Sequence, residues 1–441
     1  MNRSITAVLL LWLFAISTSL PESCKAAVGA IDVTQAPYSA VADGVTDDTQ
    51  AINRALLTGS AIYLPTSKAC YKTSAALVMS TPGQIMYGDG RTRSKICPSE
   101  TPFAYGVIYF RSGEVGPEVR DVGIIFSQPD SNTRKAMIQY EPAIFAQNTP
   151  RFRLQGIRIS RAWNGVDMTG NSGGALISDL EMSAFNSGIW IDGSLDSVRL
   201  DNVHSWPFDL SIKQREVFYD PEATSFYIGR CDDCKIRGGA SLAGTAMVFF
   251  AGVSGPAFGS VSDFAFDTNS GIRMSAGTID MSNVYFTLTP SALTRAIYMT
   301  GGTLNISSFW ALAGPTNVPM IEVLSMDQAG NTSFNMSNGK VELGKQNSTF
   351  LSTKNMGGLG HIGLTNIFFD AIPNVSHSNP IISIDRNFRI QAMGNQIRDK
   401  GTGDGTFFLV RYDDFHRVVY NSSVGWMNSF PIAVSGIYTP N

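Results

Sequence analysis

Through the middle of the chain, apolar and polar residues alternate in short runs, pause at a polar or glycine pair and then resume, as in Ile279-Asp-Met-Ser-Asn-Val-Tyr-Phe286. A period of two sends successive side chains to opposite sides of a strand, so each run buries every second residue. The unit recurs with starts at Phe152, Ala175, Val198, Cys234, Gly259, Ile279, Leu304, Phe334, Ile362 and Phe388. Steps of roughly 20 to 36 residues are those of stacked repeats rather than separate domains. Between the two runs stand Ser178-Asp179, Asp201-Asn202, Ser282-Asn283, Ser337-Asn338 and Thr365-Asn366. These pairs suit a tight bend with one left-handed residue, which Asn and Asp tolerate. A third run completes each unit: Val166-Asp-Met168, Ile189-Trp-Ile191, Phe226-Tyr-Ile228, Met247-Val-Phe249, Ile272-Arg-Met274, Ile297-Tyr-Met299 and Ile321-Glu-Val323. Three short strands per turn around an apolar interior predict an all-β, single-stranded parallel β-helix solenoid.

Composition adds a large apolar interior and frequent turns, since the 441 residues include 42 glycines and 26 phenylalanines and only 16% are charged. An uninterrupted repeat outweighs the length prior for two or three domains, because a solenoid grows by adding coils to one core. The expected organisation is a signal peptide over 1–27 and one domain over 28–441. That domain divides into an N-terminal cap at 28–100, coils at about 101–395 and a C-terminal cap at about 396–441, where the regular pattern fades. A net charge of −3 without a long basic run argues against nucleic acid as a partner.

Arg3 precedes the apolar run Ala7–Ile16, and small residues follow around Ala26 to Ala30. That is the layout of a cleaved export signal, and the run is shorter than the about 20 residues that span a bilayer. A secreted or periplasmic location without stable membrane insertion is expected. Cys24 lacks the small-residue setting of a lipid attachment site. In an oxidising compartment Cys70 can bridge Cys97, and Cys231 can bridge Cys234. Zinc at Cys231-Asp-Asp-Cys234 is the weaker reading, since one such pair lacks further ligands. Asn305, Asn347 and Asn421 open Asn-x-Ser/Thr triplets, which matter only in a eukaryotic secretory route.

After the signal comes Tyr38-Ser-Ala-Val-Ala-Asp-Gly-Val-Thr-Asp-Asp-Thr-Gln-Ala-Ile-Asn-Arg-Ala-Leu56, followed by Ala61-Ile-Tyr-Leu-Pro65. The apolar spacing Ala51, Ile52, Ala55, Leu56 predicts a short helix, with Asp47 and Asp48 as its caps. Such a helix plugs the open solenoid end, which would otherwise expose strand edges and core. This segment resembles the opening motif of the pectate lyase superfamily domain of right-handed β-helix proteins, which include phage tailspike depolymerases and exported polysaccharide lyases and hydrolases. Gly188-Ile-Trp-Ile-Asp-Gly193 and Val203-His-Ser-Trp-Pro-Phe208 resemble coils of the tailspike type. The resemblance implies a right-handed helix sense and activity on an extracellular or capsular polysaccharide. It also implies a monomer or a homotrimer, and no cofactor unless carboxylates hold calcium as in some β-helix lyases. The Gly-His-Gly with Arg-Ile-Lys of polygalacturonases and the Asp-Pro-His of alginate epimerases are absent, so those catalytic residues do not transfer.

The step from Val198 to Cys234 is the longest between copies, which marks an insertion, and long loops on a rigid scaffold are where binding and chemistry concentrate. It carries His204, Trp206, Asp209, Lys213, Arg215, Glu216, Tyr219, Asp220, Glu222, Tyr227 and Arg230. The third runs supply a floor, because the residue between their apolar positions faces outward: Asp167, Trp190, Tyr227, Val248, Arg273, Tyr298 and Glu322. Rings in such a column suit the apolar faces of sugars, and the charges suit their hydroxyls or carboxylates. Hydrolysis needs two carboxyls, for which Asp192, Glu216, Asp220 and Asp167 are the candidates, with Glu216 and Asp220, or either with Asp192, preferred. A lyase needs a base and a cation beside a uronate, which His204, Lys213, Tyr219, Arg230 and Arg273 can supply. Hydrolysis is slightly preferred for the acid-rich loop, and a non-catalytic binding or structural β-helix is the alternative class.

Overall fold

The computed structural model describes residues 29–435 except 112, 114, 289–294, 314–317, 327–331, 344–348, 372–381, 386–387, 399–407, 412–418 and 422–431. Residues 1–27, expected to form an export signal and containing Cys24, and Asn347 lie outside the described residues. All described strands join one parallel sheet that winds around itself. Three faces result, each a ladder of strands from successive coils.

The first face runs from Ile31–Asp32 through Ile62–Leu64, Ile85–Gly88, Glu118–Arg120 and Arg153–Gln155 into the repeated units. The second starts at Tyr71–Thr73, Lys95–Pro98 and Gly123–Ile125, and the third at Leu77–Met79, Ile108–Phe110 and Ile144–Phe145. Coils therefore begin near Ile62, and 28–100 is more than a cap. The last segment differs in the same way, since Ile382–Ile384, Phe408–Arg411 and Ile432–Ser435 continue the third face. Short strands with long connections carry no regular spacing, which hides these coils from a periodic reading.

Nine of the ten sequence units fall on one register, with Val198 opposite Cys234, Cys234 opposite Gly259, and so on to Phe334 opposite Ile362. The tenth is displaced by two, because Ile362 pairs with Ile390 and Phe388 pairs with Gly360. A slip of two preserves which residues face inward, so alternation alone cannot see it.

At the bend between first and second faces, Asp121, Gly156, Asp179, Asn202, Gly238, Asp263, Asn283, Ser308, Asn338, Asn366 and Gly394 all have left-handed φ between 50 and 67°. They occupy equivalent places in successive coils. Asn202 Nδ2 donates to Asp179 Oδ1 at 2.7 Å and Asn283 Nδ2 to Asp263 Oδ1 at 2.6 Å, so the column is stitched along the axis. Inside, one continuous apolar core runs the length of the solenoid, with rings stacked between coils, as Phe266 on Phe286 at 4.7 Å.

The capping helix α1 spans Thr49–Leu56 and buries Ala51, Ile52, Ala55 and Leu56. Its aspartates act differently from simple caps. Asp48 occupies the N-cap position, but its carboxylate accepts the N–H groups of Val41 and Ala42 at 2.6 and 2.9 Å and so folds the preceding loop. Asp47 accepts from Thr49 N–H at 3.0 Å and from the Ser74 hydroxyl at 2.5 Å. Both expected disulfides are formed, Cys70–Cys97 between adjacent coils and Cys231–Cys234 across a register shift in its strand, so the latter pair is not a zinc site. No helix among the described residues is long and apolar enough to cross a membrane.

Candidate functional site

The third face presents the expected column in full: Tyr109, Phe145, Asp167, Trp190, Tyr227, Val248, Arg273, Tyr298, Glu322 and Ser352 stand opposite one another in consecutive coils. At strand spacing the members are about 4.8 Å apart. The N-terminal part is aromatic. Tyr105 stacks on Tyr109 at 4.9 Å, and Phe145 stands edge-on to Tyr109 at 5.6 Å. Farther on, Trp190 meets Tyr227 edge-on at 5.8 Å, and Tyr227 lies 4.5 Å from Phe250. Trp190 keeps 39% of its surface exposed.

Two insertions form a lip where the second face turns into the third. One is the expected insertion, 206–223, which folds as helix α2 (Ile212–Phe218) with a capping box between Ser211 and Gln214. The other, 126–143, precedes the first recognised repeat and was not anticipated. Between them the coils Arg158–Thr169 and Leu176–Asp192 round the corner as unbroken strands, leaving room for the insertions to meet. Val217, Phe218, Leu210, Met137 and Phe185 make a small core of their own. Polar contacts tie the pieces: Ser211 Oγ donates to Asp130 Oδ1 at 2.5 Å, Gln214 Nε2 to the Pro129 carbonyl at 3.0 Å, and Lys213 pairs with Asp130 at 3.4 Å. Arg134 binds the Phe185 carbonyl and the Asn186 side chain, covers the Trp163 ring at 4.6 Å and pairs with Glu222 at 3.0 Å. Burial draws its pKa below the ordinary arginine value, with Glu222 and Asp220 acting the other way.

The candidate residues divide by what already occupies them. Glu216 is exposed and accepts from Asn132 Nδ2 at 3.0 Å, turned toward the other insertion. Asp220, half-buried at the end of α2, accepts only the Glu222 N–H at 2.8 Å within its own turn among the described residues. Its backbone is pressed against Gly244, where a Cβ would come within 1.7 Å of the Asp220 carbonyl oxygen. Asp192 is not a free carboxylate on the floor. Only 8% exposed, it accepts Arg230 N–H at 2.9 Å and Val253 N–H at 3.1 Å, clamping the turns of the next two coils. Gly229 and Gly252 make room for it, since a Cβ on either would meet Oδ1 within 2.5 Å.

Asp167 is enclosed in the same manner, accepting from Thr169 N–H at 2.9 Å, the Thr169 hydroxyl at 2.8 Å and Gln147 Nε2 at 3.1 Å. Glu322 keeps its place in the column, yet it is 2% exposed and held between Arg295 and Lys354. Alternation gives the face of each residue but not whether its neighbours cover it. His204 and Trp206 lie around the corner, on the second face, where His204 stands between Glu181 and Ala240. Arg230 pairs with Asp232 at 3.0 Å and donates to the Ser254 carbonyl at 2.7 Å in the turn leaving the third face. Arg215 is exposed on α2. Tyr219 is 36% exposed, and its carbonyl accepts from Asn269 Nδ2 at 2.9 Å.

Trp190, Tyr227 and Arg273 thus remain as the open floor, continued by Tyr298, whose ring lies under Arg295 at 5.2 Å. Arg273 makes no ion pair within 4 Å among the described residues, and its Nε donates to Ser270 Oγ at 3.3 Å. Protein packed around the guanidinium lowers its pKa although more than a third of the side chain meets solvent, while Asp220 and Glu222 pull the other way. The lip carboxylates and the floor cation therefore share one electrostatic neighbourhood. Sequence reasoning missed Arg134, Tyr109, Phe145 and Phe250. The alternation in Ile108-Tyr-Phe110 signalled one of them, whereas Arg134 and Phe250 lie outside any strand. No group of three or more potential metal-ligating side chains occurs among the described residues.

The sequence matches no family model and no curated protein. Its structure is similar to a tailspike protein mutant of E. coli bacteriophage HK620 in complex with a hexasaccharide, with TM-score 0.55, 9% identity, and coverage of 86% of this chain and 75% of that one. It is also similar to the A-module of a mannuronan C-5 epimerase from Azotobacter vinelandii, with TM-score 0.52, 12% identity, and coverage of 86% and 99%. A third likeness is to the pre-mature gene product 12 of bacteriophage phi29, with TM-score 0.52 and 15% identity, where 84% of this chain spans 57% of that one. The ladder of three faces, the bend column and these likenesses together give the chain a right-handed parallel β-helix fold.

Proposed function

We propose that the protein is a polysaccharide depolymerase that lays an extracellular polymer along the third face and hydrolyses it beneath the lip. The observation that carries this reading is the column itself. Trp190 and Tyr227 offer rings at coil spacing, Arg273 and Tyr298 continue the line, and the two insertions border its edge. A sugar chain has apolar ring faces and polar edges, and such a column complements both.

Asp220 is the proposed acid or base, because its carboxylate is committed only within its own turn, whereas Asp192 and Asp167 are consumed by the scaffold. Glu222 is the proposed second carboxyl, with Arg134 beside it to hold its charge. In hydrolysis one carboxyl protonates the leaving oxygen, and the other acts as base or nucleophile. Arg273 would bind an acidic or strongly hydroxylated group next to the bond. Export by the N-terminal segment fits a polymer outside the cell and belongs to the same proposal.

The test is incubation with neutral and acidic exopolysaccharides while polymer size and the absorbance of unsaturated uronates are followed together. Shortening without new absorbance, lost in Asp220→Asn, is the expected result. Shortening with new absorbance would make the enzyme a lyase, and binding without shortening across the panel would leave a binding protein.

A further inference from the structure

The second face carries its own aromatic platform, around the corner from the third-face floor. Its outward column runs Arg158, Glu181, His204, Ala240, Ala265, Tyr285, Trp310 and Lys340. The first members are locked to one another: Glu181 pairs with Arg158 at 2.7 Å and with Arg91 at 2.8 Å, and Arg158 also lies over the Phe208 ring at 5.0 Å. Lys340 at the other end pairs with Glu342 and Asp370. Between these two ion-paired ends the surface drops.

Tyr285 and Trp310 stack at 4.3 Å with their planes only 20° apart. Rings stacked at strand spacing have their normals along the solenoid axis. The second face of the Tyr285 ring must therefore look back over Ala265 and Ala240, whose side chains are too short to cover it. Both alanines keep part of their surface in solvent. The far wall is His204, three strands away and hence about 14 Å between backbones. Trp206, 46% exposed, stands next to it. On the floor's edge Asp267 has no hydrogen-bond or ion-pair partner among the described residues, and its surroundings raise its carboxyl pKa above the usual value by desolvation. On the opposite edge Asp263 is tied to Asn283 and lies 3.9 Å from Arg237.

From this geometry we propose a second saccharide-binding notch, in which a pyranose ring stacks on the free face of Tyr285 above Ala265 and Ala240, and its hydroxyl edge donates to Asp267. A flat ring face with an unpartnered acceptor at its rim matches a sugar better than an apolar segment, which would leave that carboxylate unsatisfied. The notch faces away from the cleavage floor, so it would hold a distant stretch of the same chain and raise the local polymer concentration rather than join the chemistry. The inference rests on the proposed function only for the identity of that polymer.

The test is affinity electrophoresis of the full chain in the Asp220→Asn background, through gels containing gellan, xanthan or dextran, so that cleavage cannot consume the ligand. Tyr285→Ala and Ala265→Leu, the one removing the platform and the other filling the space before it, should each weaken retention about three- to tenfold. Their melting temperatures should stay at the parent value, because both side chains lie on the outer surface. In the otherwise unaltered chain, the same changes should slow shortening of long polymer and spare short oligosaccharides. Parent-like retention of both variants, or no retention of the parent in any of the three gels, would overturn the notch. Loss of retention in a protein that never shortens a polymer would keep the notch and remove the depolymerase reading.

Discussion

Two columns of polar residues run along this solenoid, one at the bend between first and second faces and one on the third face, and they differ in what their side chains still have to offer. At the bend, Asp179 with Asn202 and Asp263 with Asn283 hydrogen-bond to each other along the axis, and each adopts the left-handed backbone that the corner demands. On the third face, Asp167 and Glu322 are equally spent, but Trp190 and Arg273 keep open surfaces, and Arg273 makes no ion pair within 4 Å among the described residues. Regular stacking is thus no sign of function by itself. The informative residues are those that stacking leaves unsatisfied.

The sharpest way to break the contrast sets Asp220 against Asp192. Asp220→Asn should lower the cleavage rate by about 10²- to 10⁴-fold, the usual worth of a positioned acid or base, with the melting temperature unchanged. Asp192→Ala should do the reverse. It removes the acceptor shared by two partly buried N–H groups and should cost about 2 kcal/mol in denaturant unfolding. If Asp192→Asn folded normally and lost all activity, Asp192 would belong to the chemistry after all.

An effect of similar size on stability is expected within the bend column. Asn283→Ala places a side chain without local hydrogen bonds at φ 53° and breaks the link to Asp263, for about 2 kcal/mol, whereas Asn283→Gly relieves the backbone and should cost about half as much. Equal costs for the two would mean that backbone conformation is not what selects the residue. On the third face, Trp190→Ala should raise KM about fivefold, near 1 kcal/mol, and leave stability within error.

The mildest test is in the N-terminal motif, where adjacent aspartates respond oppositely to pH. Burial raises the Asp48 carboxyl above the ordinary aspartate value of 3.8 despite the Val41 and Ala42 N–H groups. Its contribution is full below that value and is lost as pH rises through the raised folded pKa. Burial also acts on Asp47, but hydrogen bonds from Ser74 and Thr49 outweigh it and lower its pKa, so its contribution is present above 3.8 and lost as pH falls. Asp47→Asn should therefore destabilise more at pH 7 than at pH 3, and Asp48→Asn more at pH 3 than at pH 7. Parallel behaviour would show that the two carboxylates share one environment.

Much of this was legible in the residues. Period-two runs such as Ile272-Arg-Met274 placed the third-face column correctly, because inward and outward positions depend only on local alternation. The bend pairs gave their corner for an equally local reason, the tolerance of Asn and Asp for positive φ. The long step after Val198 pointed to the insertion, since extra residues in a regular repeat have nowhere to go but outward. Phe388 was displaced by two because a shift of two preserves the pattern, and His204 was counted in the insertion although it still belongs to a second-face strand, because sequence proximity does not reveal where the strand ends and the loop begins.

The sequence by itself determined the architecture, the interior, the outward-facing column and both disulfide pairs, all of which follow from interactions between residues close in the chain or repeated at one period. Only the tertiary structure decided which carboxylates are free. Asp192 is consumed by N–H groups 38 and 61 residues away, and Arg134 reaches Glu222 from a separate insertion. Hydrogen bonds between coils depend on where loops of irregular length come to rest, and no local pattern encodes that.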